Sequence, residues 1–351
     1  MAAAATGISG SYHPVAFASC SIGLARHTLH QKIEAIREAG FDGIELSFPD
    51  LRAYAGRHFG RDVAEDDYQS LCEAGKAIRA LCHGHDLQIL ALQPFSNFEG
   101  WPAGSQERQD AFARAKAWID IMHAVGTDML QVGSSDSPNI TQNIDQLAAD
   151  LASLADMLAA RGFKLAYENW CWATRAPTWR DVWAIVERAN RPNIGLCLDT
   201  FQTAGGEWGD PTTKSGKIEA QGRVLEDLSK AYATSLEDLA KTVPADKIYF
   251  LQISDAYLLD PPLEAEAYKE SSLQPRIGEM IIDMLTSYDG GYLPIQEFVR
   301  SVFATGFKGW LSVEVFDGKA EDKFGDDLRK FAKKGMEACQ KLAAEANIDT
   351  K

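Results

Sequence analysis

A chain of 351 residues, 46% of them hydrophobic, can bury a sizeable core as one large α/β barrel or as two ordinary domains. Its net charge of −15 argues against a surface that neutralises nucleic-acid phosphates, but allows a local basic pocket for a small anion. No uncharged apolar run approaches the roughly 20 residues of a membrane span, and the six cysteines form no C-x-x-C pair or disulfide-like framework, which points to reduced thiols in a cytoplasmic setting.

The opening stretch MAAAATGISGSYHP has neither the basic region nor the apolar run of a secretory signal. It predicts a flexible tail at 1–12 ahead of a single domain at 13–345. From there one punctuation recurs: an amphipathic helix, a turn marked by Gly or Pro, then a short β-favouring run. Examples are REAGFDGIEL, HAVGTDMLQV, AARGFKLAYEN, NRPNIGLCLDT, PADKIYFLQIS and ATGFKGWLSVEV. Helical spacing is clear at Leu29, Ile33 and Ile36, at Ala115, Trp118, Ile119 and Met122, and at Ile144, Leu147, Leu151, Leu154 and Leu158. Eight strands are predicted, at 15–20, 43–47, 88–93, 128–132, 163–168, 194–199, 247–253 and 310–315. Continuous apolar strands alternating with helices, without a Gly-rich nucleotide loop, predict an α/β fold: one (β/α)₈ TIM barrel with a C-terminal helix. Long connections follow strands six and seven, at 200–222 and 254–293, where such barrels build lids and specificity.

The last four predicted strands each end in an oxygen donor: Glu168 in LAYEN, Asp199 in GLCLDT, Gln252 in FLQIS and Glu314 in LSVEV. Any one of them could be a helix cap or the partner of a lysine. Four on consecutive strands, whose carboxyl ends converge in a barrel, predict a site for one hard divalent cation, Mg²⁺ or Mn²⁺, with Co²⁺ as a further candidate. His30, His58, His83, His85 and His123 fall in helices or turns away from the strand ends, where surface roles are expected.

The stretches LQPFSNFEG (92–100), YENWCWATR (167–175), NRPNIGLCLDTF (190–201), AGGEWGDPT, FLQISDA (250–256), YLPIQE (292–297) and GFKGWLSVEVF (306–316) resemble the xylose isomerase-like sugar phosphate isomerase/epimerase barrels. Within that group they are most similar to the fungal 3-dehydroshikimate dehydratases. The resemblance implies that Glu168, Asp199, Gln252 and Glu314 bind one divalent metal. Gln252 separates the dehydratases from isomerases and epimerases of the group, which usually have histidine there. The implied reaction removes water from 3-dehydroshikimate to give protocatechuate, the metal holding the ketone oxygen and stabilising an enolate. It needs an acid or base of tuned pKa and a cation for the substrate carboxylate.

His27, in the loop after strand one, is the first candidate base, although its place beside the first helix also fits a structural role. Glu168 and Glu314 are the alternative proton carriers. Arg175 is the first candidate for the substrate carboxylate, followed by Lys217 and Arg276 on the long loops. Phe95, Trp170, Trp172 and Phe316 stand near strand ends as walls for a ring-shaped substrate, and Glu99 either orders its loop or meets a substrate hydroxyl. Two departures bear on the substrate. Gln202 stands where bacterial relatives have histidine, and IGEMIIDML (277–285) stands where fungal relatives have an arginine-bearing stretch. The partner expected is a small carboxylated cyclic polyol ketone, with no nucleic acid and no membrane; homo-oligomerisation is left open. An isomerase or epimerase of a ketose or inosose, or a barrel that binds ligand without catalysis, are the competing readings.

Overall fold

The computed structural model describes residues 12–220, 223–224, 226–264 and 291–346. Eight parallel strands close a barrel in chain order: β1 (Val15–Ala18), β2 (Gly43–Ser47), β3 (Gln88–Phe95), β4 (Met129–Gly133), β5 (Lys164–Glu168), β6 (Ile194–Asp199), β7 (Ile248–Ile253) and β8 (Trp310–Val313). The outer layer holds α1 (Leu29–Glu38), α2 (Phe48–Phe59), α3 (Tyr68–Gly84), α4 (Gln106–Val125), α5 (Ile144–Ala159), α6 (Trp179–Ala189), α7 (Thr200–Glu207) and α8 (Leu228–Thr242). It continues with α9 (Ile295–Ala304), α10 (Ala320–Phe324) and the C-terminal α11 (Leu328–Glu345). Every predicted strand is present within about two residues. The expected tail lies, but for Tyr12, outside the described residues, as do Arg276 and 277–285.

Local chemistry sets these boundaries. Thr28 opens α1 with a capping box, its hydroxyl accepting from the Gln31 amide while the Gln31 side chain accepts from the Thr28 amide. Gly126 ends α4 at φ +82°, a left-handed turn that lets β4 follow at once. Residues 200–207, expected within a long loop, instead form α7 despite Gly205 and Gly206. Asp199 caps that helix, its Oδ1 accepting from the Gln202 amide at 2.7 Å.

The strands separate two apolar regions. Outward side chains such as Ile44, Leu46, Leu130, Val132, Leu165, Tyr167, Leu196, Leu198, Leu251, Leu311 and Val313 pack under the helices. Inward ones, Ala16, Leu90, Ala91, Met129, Ala166, Cys197 and Phe250, plug the barrel. Beyond the plug, toward the carboxyl ends of the strands, the inward positions turn polar.

Candidate metal centre

Alternation along four of the strands carries the lining from the apolar plug to the polar layer: Met129 to Gln131, Ala166 to Glu168, Cys197 to Asp199 and Phe250 to Gln252. Ladder register keeps the layer level, with Gln252 paired to both Ser312 and Asp199 and Gly133 paired to Glu168. Glu314 follows β8 directly, its amide bonded to the Ile253 carbonyl at 3.1 Å. One carboxylate oxygen from each of Glu168, Asp199 and Glu314 lies within 4.8 Å of the others.

Neutral donors hold these carboxylates. Gln131 Nε2 and Trp170 Nε1, the latter at 3.2 Å, donate to Glu168 Oε2, and Gln93 Nε2 donates to Glu314 Oε1 at 2.9 Å. The Ser254 hydroxyl donates to Asp199 Oδ2 at 2.8 Å. Glu168 Oε1 is buried with no hydrogen-bond partner. Among the described residues, no lysine, arginine or histidine bonds to any of the three.

Burial, reinforced by the neighbouring carboxylates, pushes Glu168 and Glu314 well above the usual carboxylate range. Burial raises Asp199 to about 7, although the Gln202 amide and Ser254 hydroxyl pull the other way. A crowded acidic site with an unpartnered oxygen and no cation bonded to it among the described residues suits a divalent ion, and its oxygen donors are of the hard type. Gln252, the fourth expected ligand, accepts from the Cys197 thiol at 3.0 Å through Oε1 and donates to Glu45 at 3.0 Å through Nε2. A carbonyl oxygen has two lone pairs, so Oε1 retains capacity for one more partner.

A family model described as xylose isomerase-like TIM barrel matches residues 33–340. The chain belongs to this family. A 3-dehydroshikimate dehydratase of Neurospora crassa is 30% identical to it over 95% of this chain and 94% of that protein. Another protein of that name, from Pseudomonas aeruginosa, is 33% identical over 83% of this chain, which spans only 36% of that longer protein. A solved xylose isomerase-like TIM barrel/4-hydroxyphenylpyruvate dioxygenase fusion protein superposes with a TM-score of 0.70 and 26% identity, over 95% of this chain and 43% of the fusion.

Within this xylose isomerase-like barrel the other predicted site residues divide sharply. Trp170 joins the centre and stacks on Trp172, with ring centroids 5.3 Å apart. Gly133 makes room for it, since a Cβ there would lie 2.2 Å from the Trp170 ring. His27 does not suit a base: Nδ1 accepts from the Leu24 amide at 2.9 Å, and Nε2 faces Asp326 at 3.0 Å, so neither nitrogen offers a free lone pair. Arg175 is turned to the backbone, donating to the Thr174 and Ile140 carbonyls. Phe95 is core, packed on Phe98 and Trp118 under the Arg114 guanidinium. Glu99 orders its loop, accepting from the Tyr167 hydroxyl and the Ser135 amide, both at 2.8 Å. Lys217 Nζ sits 4.8 Å from the centre of the Trp208 ring. Gln202 accepts from the Cys171 amide at 2.9 Å and so ties α7 to the loop after β5. Phe316 is partly buried, two residues past Glu314.

One acidic member was missed. Glu45, on β2, is fully buried, holds the Gln252 amide, and is raised to about 7 by burial, with Asp199 adding to the shift. Its Oε1 has no hydrogen-bond partner. The signal was parity: Ile44 and Leu46 face the helices, which turns Glu45 inward with the other ligand-bearing positions.

Proposed function

We propose that this protein is a divalent-metal-dependent hydro-lyase that converts 3-dehydroshikimate, or a close carboxylated cyclic polyol ketone, to the aromatic product, protocatechuate for 3-dehydroshikimate itself. One observation carries the reading: three carboxylates, two buried and one half-buried, converge with no protein cation bonded to them among the described residues, in a chain 30% identical to a 3-dehydroshikimate dehydratase over nearly the full length of both. Glu168, Asp199, Gln252 and Glu314 would hold the metal, Mg²⁺ or Mn²⁺, which when bound supplies a Lewis acid for the substrate's ketone oxygen.

The balance of the reaction is a loss of water with no change of oxidation state. A proton leaves the carbon beside the ketone, the β-hydroxyl departs with a proton, and tautomerisation of the remaining ketone makes the ring aromatic. No redox partner is needed. The chain's own part is to move those protons and to hold the ring. With His27 committed to Leu24 and Asp326, Glu168 and Glu314 are the proton carriers, and Gln131, Trp170 and Gln93 set their orientation. Trp170 and Trp172 offer the stacked aromatic wall that suits a flat product. Of the three cations singled out for the substrate carboxylate, Arg175 directs Nη1 and Nη2 at backbone carbonyls but keeps a buried Nε without a partner, Arg276 lies outside the described residues, and Lys217 lies over the Trp208 ring, so Arg175 and Lys217 are the described choices.

The test is direct. Purified protein loaded with Mn²⁺ or Mg²⁺ is incubated with 3-dehydroshikimate and followed by the ultraviolet absorbance of protocatechuate. Product is expected, and Glu314→Gln is expected to abolish it. No product with either metal would remove the substrate assignment, and full turnover by Glu314→Gln would remove the metal mechanism.

A further inference from the structure

A second group of metal-type donors lies outside the barrel, on the surface. His30 and Glu34 are one turn apart on α1, and His85 is the residue that caps the end of α3. One donor atom from each of the three falls within 4.8 Å of the other two. His30 Nε2 and Glu34 Oε1 are 3.2 Å apart. Two donors at roughly 2.1 Å from a tetrahedral zinc ion are separated by roughly 3.4 Å, so this pair already stands at the edge length of a zinc tetrahedron. The His30 and His85 ring centroids are 6.0 Å apart, with the ring planes at 89°.

The backbone holds the third donor in place. The His85 amide bonds to the Leu81 carbonyl at 3.2 Å and the Cys82 carbonyl at 3.1 Å. The next residue, Asp86, reaches Arg37 on α1 at 3.6 Å and spans the same two helices. An ordinary i,i+4 ion pair accounts for His30 with Glu34. It does not extend to His85, whose ring meets that of His30 edge to face.

We propose that His30, Glu34 and His85 form a surface site for a borderline divalent ion such as Zn²⁺, Ni²⁺ or Cu²⁺, clamping α1 to the end of α3. Its two imidazoles and one carboxylate select differently from the barrel mouth, where the donors are all oxygen. The His30 and Glu34 side chains are 55% and 44% exposed, which gives the ion a route in and leaves a coordination position to water. The net charge of −15 favours cation capture. This assignment is independent of the barrel reaction.

The experiment titrates Zn²⁺ into protein whose barrel site is saturated with Mn²⁺, and released Mn²⁺ is measured in parallel so that zinc entering there is counted separately. One further equivalent of zinc is expected without loss of manganese. In His30→Gln or His85→Gln its affinity falls by more than about tenfold, as even outer partners of a metal site cost that much. Cu²⁺ bound at the same site is expected to show two nitrogen couplings by electron paramagnetic resonance, and one in His85→Gln. Zinc uptake only in exchange for manganese, or undiminished uptake by both variants, would overturn the proposal.

Discussion

Glu45 shows how much one inward carboxylate can change. Its pKa stands at about 7 against an ordinary 4.5, and burial is the main cause. A carboxylate raised on folding contributes its stability below the unfolded value, near 4.5, and loses it as pH climbs through about 7. The full shift corresponds to about 3 kcal/mol. Glu45→Gln keeps an oxygen to accept from the Gln252 amide but cannot ionise. Metal-free Glu45→Gln protein should therefore be more stable than the parent at pH 8, by about 1–3 kcal/mol, and nearly equal to it at pH 4. Chemical denaturation at the two pH values checks this, and identical pH slopes for both proteins would contradict it. His27 teaches the complementary lesson. Its position in the loop after β1 was legible, but its partner Asp326 lies 299 residues away and left no trace in local sequence.

At the scale of elements, strand ends were easy to read and strand faces were not. LAYEN, GLCLDT and LSVEV announce a polar residue after an apolar run, whereas Glu45, Gln93 and Gln131 sit within strands and emerge only when alternation is counted. Closeness to a strand end says nothing about direction: Phe95 packs on Trp118 in the core, and Arg175 reaches the Ile140 carbonyl. Asp199 has two duties that substitution can separate. It contributes to the carboxylate cluster, and it caps α7 through the Gln202 amide. Asparagine caps about as well as aspartate. Asp199→Asn should therefore keep the parent's fold while losing metal affinity and activity by more than about tenfold. Asp199→Ala loses the cap as well, at a further cost of about 1 kcal/mol. Metal titration and urea unfolding of the two variants distinguish these effects. Equal unfolding midpoints for both would show that the cap contributes nothing.

For the whole molecule, the eightfold alternation was legible because parallel strands buried on both faces are continuous apolar runs, and each helix ends in a marked turn. What the molecule does with its charge depends on closure. Closing the barrel brings Glu45, Glu168, Asp199 and Glu314 together at its mouth, and each has a raised pKa; Glu45 and Asp199 stand at about 7. Because folding raises these values, the stability tied to Glu45 and Asp199 is complete below about pH 4 and disappears as pH rises through about 7, and that tied to Glu168 and Glu314 is lost in the same direction. Metal binding runs the opposite way, since the ion takes the deprotonated carboxylates. The melting temperature of metal-free protein should consequently fall between pH 6 and pH 8, and the gain from Mn²⁺ or Mg²⁺ should grow over the same interval. At a metal concentration about 100 times Kd the gain is about 2.7 kcal/mol, which for a chain of this length is a rise of about 4 °C. Thermal scans at the two pH values, with chelator and with metal, measure both trends. If the metal raised the melting temperature equally at both, these carboxylates would not be the groups it binds.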